Sequence, residues 1–200
     1  MKRPGKITRA TMARLWIGAA LLGLAGTAQA QQNGEAVDPL QTEELEAYAV
    51  LIGRWHPDPD SLSDGVRQWR EENGISDNWI EFGWGSERQW MRFGDWQRRN
   101  GEDRHAGAGL VAYDPARLTV MFTEHSIRGA SVVGTLERVS PTEIVRDIVV
   151  TRTDTRWRQI DRWVWTAEED EACFEWTATY INAQGRNEGP ANRWCRMAAD

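Results

Sequence analysis

The sequence is poor in the residues that build metal sites and nucleophilic active sites. It has only three histidines and two cysteines among 200 residues. None of His56, His105 and His125 stands at a metal-ligand spacing from another histidine or from a cysteine. The chain also lacks a Gly-x-Ser-x-Gly motif, a phosphate-binding loop and a dinucleotide-binding fingerprint. The sequence therefore predicts no catalytic residue, no metal site and no cofactor.

A long apolar segment is absent too. The apolar run at residues 15–26 is shorter than an ordinary membrane span. It follows a basic stretch without acidic residues and precedes Ala28-Gln29-Ala30, which matches a small-x-small cleavage site. Because this order is typical of a secretory signal peptide, we expect residues 1–30 to be a cleaved leader and the mature protein to be periplasmic or secreted. We expect the polar residues 31–37 to be disordered.

Basic residues are scarce after this leader. The leader holds five of the 24 basic residues and none of the 30 acidic ones, which leaves 19 basic against 30 acidic residues and a net charge of about −11. A strongly acidic domain repels nucleic acid and anionic membrane surfaces. We therefore expect that the mature chain neither binds nucleic acid nor inserts stably into a membrane.

The chain does contain a series of short β-rich runs separated by turn signals. Asn73-Gly74 and Asn100-Gly101 favour type I′ hairpins because both residue types tolerate a positive φ. Asp114-Pro115-Ala116-Arg117 favours a type I turn, and further turn signals stand at residues 140–142, 168–170 and 184–185. The strands predicted after the one at Trp55 are residues 66–71, 79–84, 88–96, 109–113, 118–124, 131–139, 144–151, 156–166, 173–181 and 192–197.

One helical pattern precedes these strands, at residues 38–49. Asp38 can cap it, Pro39 suits its first position, and Leu45 and Tyr48 share one face. So short a helix must pack on something, and we expect it to cover one mouth of a barrel, because closing a meander into a barrel removes its exposed edges. The sequence thus predicts a single all-β domain over residues 38–200: an up-and-down antiparallel β-barrel of about ten strands with one short N-terminal helix.

The last hairpin offers a test of the cysteine pairing. In an exported chain two cysteines favour a disulfide. If Gln184 marks the centre of the hairpin, Phe174 faces Trp194 and Cys173 faces Cys195. Because side chains alternate along a strand, the aromatic pair then shares the inner face and the cysteines share the outer face. We predict a Cys173–Cys195 disulfide between the final two strands.

Three segments together resemble a known superfamily: Gly53-Arg54-Trp55 after a short helix, residues 109–114 as a strand ending in a turn, and the glycine-containing residues 128–134. They resemble the calycins, and among their lipocalin-like barrels the small bacterial domains of unassigned function. The resemblance implies that Trp55 plugs the closed end, that Gly53 allows close strand packing, and that Arg196, or alternatively Arg193, packs over Trp55.

The predicted count of about ten strands agrees best with two groups of ten-stranded barrels that the chain also resembles, the fatty-acid-binding proteins and the nitrobindins. The nitrobindin pattern places a haem-ligating histidine near the C terminus. This chain has no histidine after His125, which argues against haem.

Arginines and tryptophans interleave along several predicted strands. In residues 156–166 the alternation puts Asp161 on the tryptophan face and the arginines on the other face. A buried Asp161 needs a partner, for which we consider Arg92 or Arg196; alternatively, Asp161 lies at a wetted rim. If Trp90 points inward, Arg88 or Arg92 is the best internal anion holder. The residues predicted to line a ligand site are Trp84, Trp90, Arg92, Asp161, Trp163, Trp176 and Tyr180.

Three functions fit this pattern. The first is a non-enzymatic exported barrel that binds a small apolar or amphipathic molecule in its interior. The second is an enzyme on the same barrel, a hydrolase, isomerase or cyclase, using His125 or His105 with a carboxylate at the mouth. The third is a partner-binding module of the cell envelope with a filled core. A cavity of several hundred cubic ångströms would favour the first two, and a histidine–acid pair inside it would favour the second.

Overall fold

The computed structural model describes residues 39–165 and 173–197, and within them eleven strands and two α-helices follow one another along the chain. The predicted leader, the predicted disordered residues 31–37, Asp38 and the predicted turn at residues 168–170 lie outside the described residues. Neither described helix has the length and hydropathy needed to cross a membrane. The helices are α1 (Pro39–Glu46) and α2 (Asp64–Glu72), and single 3₁₀ turns occur at Ala49–Leu51, Pro59–Ser61 and Ser86–Arg88.

The strands account for most of the described chain. In chain order they are β1 (Gly53–Pro57), β2 (Ile75–Trp84), β3 (Trp90–Arg99), β4 (Glu102–Asp114), β5 (Thr119–Ser126), β6 (Ser131–Ser140), β7 (Glu143–Thr151), β8 (Arg156–Trp165), β9 (Cys173–Asn182), β10 (Gly185–Glu188) and β11 (Asn192–Arg196).

These strands close into an antiparallel barrel. Each strand from β1 to β9 pairs with the next, β11 pairs with β1, and β9 completes the ring by pairing with both β8 and β11. The two short strands β10 and β11 share one edge of β9, so the barrel has ten strand positions. The predicted fold class is confirmed. Closure leaves no free edge among the ring strands and hides the backbone groups that an open sheet would expose.

The last hairpin has the predicted register. Phe174 lies opposite Trp194 and Cys173 lies opposite Cys195, and the two sulfur atoms form the predicted disulfide at 2.11 Å. β10 interrupts this hairpin with a register that differs by one residue, since Glu188 pairs with Thr179. The disulfide therefore staples β9 to β11, at the place where the barrel closes.

The segment after β1 contradicts the sequence prediction. Residues 66–71 were expected to form a strand, but they belong to α2. The Ser63 side chain accepts a hydrogen bond from the Val66 N–H and caps the helix start, as serine does at this position. Asn73-Gly74 was expected to form a hairpin and instead ends α2, with Gly74 donating to the Glu71 carbonyl. By contrast, Asn100-Gly101 forms the predicted hairpin between β3 and β4, and both residues have positive φ.

One end of the barrel is packed solid around Trp55, which is fully buried. The Trp55 indole donates to the Leu51 carbonyl at 2.7 Å, and the Arg196 guanidinium lies 4.6 Å from the centre of its ring. Arg196 also donates to the Val50 carbonyl at 2.6 Å. The contact expected between Arg196 and Trp55 is thus present. Gly53 has a φ of +132°, a backbone conformation that a side chain there would strain.

The helix α1 and the turn after it cover this closed end, as predicted. Leu45 and Tyr48 are buried against the same core. The Tyr48 hydroxyl donates to the Leu136 carbonyl at 2.9 Å and accepts from the Arg138 N–H at 3.2 Å. The Arg138 side chain adds a hydrogen bond to the Ala47 carbonyl. These bonds fix the N-terminal segment to β6, and burial raises the pKa of Tyr48.

Candidate ligand-binding cavity

The other half of the barrel contains a cavity of about 430 Å³. Inward residues of most ring strands line it, including Phe93 on β3, Ile148 on β7 and Trp163 on β8. The helix α2 lies at its mouth, where Val66 and Trp69 complete the wall. The Arg128 guanidinium from the β5–β6 turn lies 5.5 Å from the Trp69 ring. The unpredicted helix therefore covers the open end, as α1 covers the closed end.

Tryptophan rings form much of the inner wall. Trp163 lies at the bottom, and its ring centre is 6.3 Å from that of Trp176 in an edge-to-face arrangement. Trp176 lies 5.2 Å from Trp194 on the neighbouring strand. Trp157 and Tyr180 continue the wall towards the mouth. Such rings offer a large apolar surface and negatively polarised faces.

A buried ion pair crosses this wall between β7 and β8. Arg146 and Asp161 lie directly opposite each other in the sheet and are 5% and 0% exposed. The Arg146 Nε and Nη2 atoms lie 2.8 and 2.7 Å from Asp161 Oδ2. Asp161 Oδ1 accepts from Gln159 at 2.8 Å and from the Trp176 indole at 3.0 Å. With both carboxylate oxygens engaged, the buried charge is paired and hydrogen-bonded, as burial requires.

Two further carboxyl groups line the cavity at Asp95 on β3 and Glu124 on β5. Burial, with a smaller contribution from the charge of Glu124, raises the pKa of Asp95 to about 7 against the opposing charges of Arg146 and Arg128. Burial also raises the pKa of Glu124 above its ordinary value, against the opposing effect of Arg146. Among the described residues neither side chain has a hydrogen-bond or ion-pair partner. We call Asp95, Glu124, Arg146 and Asp161 the polar band.

The predicted ligand residues separate into two groups. Trp163, Trp176 and Tyr180 line the cavity together, and Asp161 lies behind the wall, bonded to Trp176. The alternative that Asp161 sits at a wetted rim is wrong, because it is fully buried. Its partner is Arg146 and not Arg92 or Arg196, which the sequence had suggested.

The other three predicted ligand residues lie outside the cavity. The burial of β3 alternates from Trp90 onwards, with Met91 and Phe93 buried, so Trp90 and Arg92 point outward. Arg92 pairs with Glu81 on the outer surface. Trp84 packs against the core near the closed end, with the Arg88 guanidinium 5.5 Å from its ring. Neither Arg88 nor Arg92 is therefore an internal anion holder.

The three histidines all lie away from the cavity wall. Glu124 points inward while its neighbour His125 is exposed, as expected for adjacent residues of a strand. His105 lies 3.5 Å from Trp96, ring centre to ring centre, with its own side chain exposed. His56 contacts Asp77 at 3.2 Å and stacks on Trp79, but among the described residues no histidine lines the cavity.

Comparison with known proteins assigns the chain to no family. No protein-family model matches the chain, and no curated protein matches it significantly in sequence. Membership of the calycins therefore stays a prediction based on Gly53-Arg54-Trp55 and the other segments that carry the resemblance.

Proposed function

We propose that the protein is an exported, non-enzymatic barrel that binds a small apolar or amphipathic molecule in the cavity. The observation that carries this proposal is the cavity itself, whose volume of about 430 Å³ falls within the range of small-molecule sites. Its walls combine tryptophan rings with a small number of placed polar groups, which is the usual composition of such sites. The leader pattern and the Cys173–Cys195 disulfide support a periplasmic or secreted location.

The cavity also weighs against the two alternatives. A module that acts only through its surface has no need of an interior space, and apolar space left empty costs stability. An enzyme of the kind considered above would place a histidine and an acid together inside the cavity. The pair that comes nearest to this chemistry, His56 and Asp77, lies on the outer face beside Trp79. We therefore favour ligand binding over both.

A titration with the apolar dye N-phenyl-1-naphthylamine tests the proposal. We expect dye emission to rise and tryptophan emission to fall as the dye enters the cavity. Ala178 lines the cavity and is buried, so Ala178→Phe should fill part of the space and weaken dye binding about ten-fold or more. Ser126→Trp at the mouth provides a second blocking variant. Ala108→Phe is the matched control, because Ala108 is an exposed residue of β4.

Equal dye affinity for wild type, both blocking variants and the control would contradict the proposal. A complementary measurement is native mass spectrometry of protein purified from the periplasm of its own source. We expect a bound small molecule in at least part of the sample. Recovery of ligand-free protein alone, together with unchanged tryptophan fluorescence on addition of lipids, would also contradict it.

A further inference from the structure

Two carboxyl groups of the polar band, those of Asp95 and Glu124, lie on the cavity wall. The polar band contains three carboxyl groups and one guanidinium, and Arg146 is bound to Asp161. The charges of Asp95 and Glu124 are thus left without a bonded partner among the described residues. The two other arginines that line the cavity have partners of their own: Arg70 donates to the Ser76 carbonyl at 2.8 Å, and the Arg152 guanidinium lies 5.3 Å from the centre of the Trp157 ring.

Asp95 and Glu124 occupy neighbouring positions on the wall. Gly107 on β4 is the direct partner of Asp95 on β3, and the Glu124 side chain from β5 lies across Gly107. A Cβ atom at Gly107 would come within 2.4 Å of Glu124 Oε1. The absence of a side chain at this position therefore leaves room for the Glu124 carboxyl beside Asp95. A β-bulge follows Asp95 immediately, between the pairs Asp95–Gly107 and Trp96–His105.

Arg146 shows how the same wall accommodates a cation. Its guanidinium centre lies 4.7 Å from the Phe122 ring, 5.3 Å from the Trp163 ring and 5.8 Å from the Trp176 ring. All three distances are within the range of favourable cation–π contacts. Because these rings and Asp161 already hold Arg146, its charge is neutralised, and an incoming carboxylate would also meet Asp95 and Glu124.

We propose that the cavity selects ligands whose polar end is positively charged, an alkylammonium or guanidinium group seated against Asp95 and Glu124, with an apolar portion between the tryptophans. A cationic head group would supply the partner that these carboxyl groups lack, and it would lie against aromatic rings whose faces favour positive charge. This inference rests on the proposed ligand-binding function and specifies the class of ligand.

Competition by three compounds with the same ten-carbon chain tests the charge preference. Decylamine is a cation at pH 8, decanol is neutral and decanoate is an anion, and each is titrated against bound N-phenyl-1-naphthylamine. We expect decylamine to displace the dye at a concentration roughly ten-fold lower than decanol, with decanoate weakest. The Asp95→Asn/Glu124→Gln double variant should lose this roughly ten-fold preference, measured as the ratio of the decylamine and decanol affinities.

A matched control separates the cavity charges from the overall acidity of the protein. Glu137→Gln/Glu175→Gln removes the same number of charges from exposed residues of β6 and β9 and should preserve the preference for decylamine. Dye displacement by decanol or decanoate at least as strong as by decylamine would overturn the inference and leave ligand binding intact. A preference that survives in the cavity double variant would overturn it as well. Failure of the dye itself to bind would instead reject the proposed function.

Discussion

The two halves of the barrel use the same strands in different ways. Around Trp55 the inward positions are apolar and buried. Two residues further along several strands, the inward positions are occupied by charged residues. On β7 the inward Ile144 belongs to the closed half, and the next inward residue is Arg146. On β8 the inward Trp163 is followed by Asp161 in the direction of the mouth. The difference supports assigning stability mainly to the closed half and the proposed ligand binding to the open half.

Trp55→Ala should have the largest effect on stability and little effect on the ligand site. Removing a buried tryptophan loses its packing and leaves a cavity, which costs roughly 3–5 kcal/mol of unfolding free energy. Urea unfolding followed by circular dichroism measures the loss, and dye titration below the transition measures binding. A Trp55 variant with wild-type stability that no longer binds dye would reverse the roles assigned to the two halves.

Arg146→Met should destabilise the open half by a similar or somewhat smaller amount, roughly 3 kcal/mol, because it leaves the Asp161 carboxylate buried without its partner. The double variant Arg146→Met/Asp161→Leu removes both charges and should regain most of the lost stability. Chemical unfolding of the two variants provides the comparison. Equal stability of wild type and the single variant would mean that the pair is not buried as described.

The disulfide should stabilise the barrel without contributing to binding. The two cysteines are 22 residues apart, and a cross-link of this span contributes about 3 kcal/mol by limiting the unfolded chain. Cys173→Ser/Cys195→Ser should therefore unfold at lower urea concentration, with dye affinity unchanged when measured on the folded protein. Loss of dye binding with stability fully retained would instead show that the disulfide itself shapes the site.

The smallest predicted effect is a pH dependence that arises in the open half. Because burial raises the pKa of Asp95 to about 7, with Glu124 adding to the shift and Arg146 and Arg128 opposing it, the folded protein retains a proton that the unfolded chain releases near pH 4. Stability should therefore fall as pH rises from about 4 to about 7. Asp95→Asn should reduce this fall by roughly 1–3 kcal/mol.

Unfolding free energies at intervals between pH 4 and pH 8 measure this slope. Asp154→Asn, at an exposed position in the turn between β7 and β8, is the control and should keep the wild-type slope. Identical slopes for wild type and Asp95→Asn would show that Asp95 has the same affinity for protons in both states.

Much of the fold follows from local sequence signals, and the exceptions have physical causes. The barrel, the Asn100-Gly101 hairpin and the register of the last hairpin were predictable because turn residues and strand alternation act over a few residues. The helix α2 was missed because Asn73-Gly74 suits both a hairpin and a helix end. The serine cap at Ser63 was the signal that would have distinguished them.

The site was less predictable because burial depends on the whole barrel. Arg146 was missed as the partner of Asp161. The four-residue turn 152–155 between β7 and β8 sets a register that pairs the two, and counting from this turn would have found the pair, as it did for Cys173 and Cys195. Trp90 and Arg92 were misplaced because residue type alone does not say which face of a strand points inward; Met91 and Phe93 take the inner face of β3.

The most direct test of the difference between the closed and open halves is a titration of ¹⁵N-labelled protein with N-phenyl-1-naphthylamine. The titration is followed by NMR at the tryptophan indole N–H resonances. Ligand binding in the open half predicts large shifts for Trp163, Trp176 and Trp194, with Trp55 and Trp165 in the closed half unchanged. Shifts confined to Trp55 and Trp165, or no shift of the cavity indoles at saturating dye, would contradict the account.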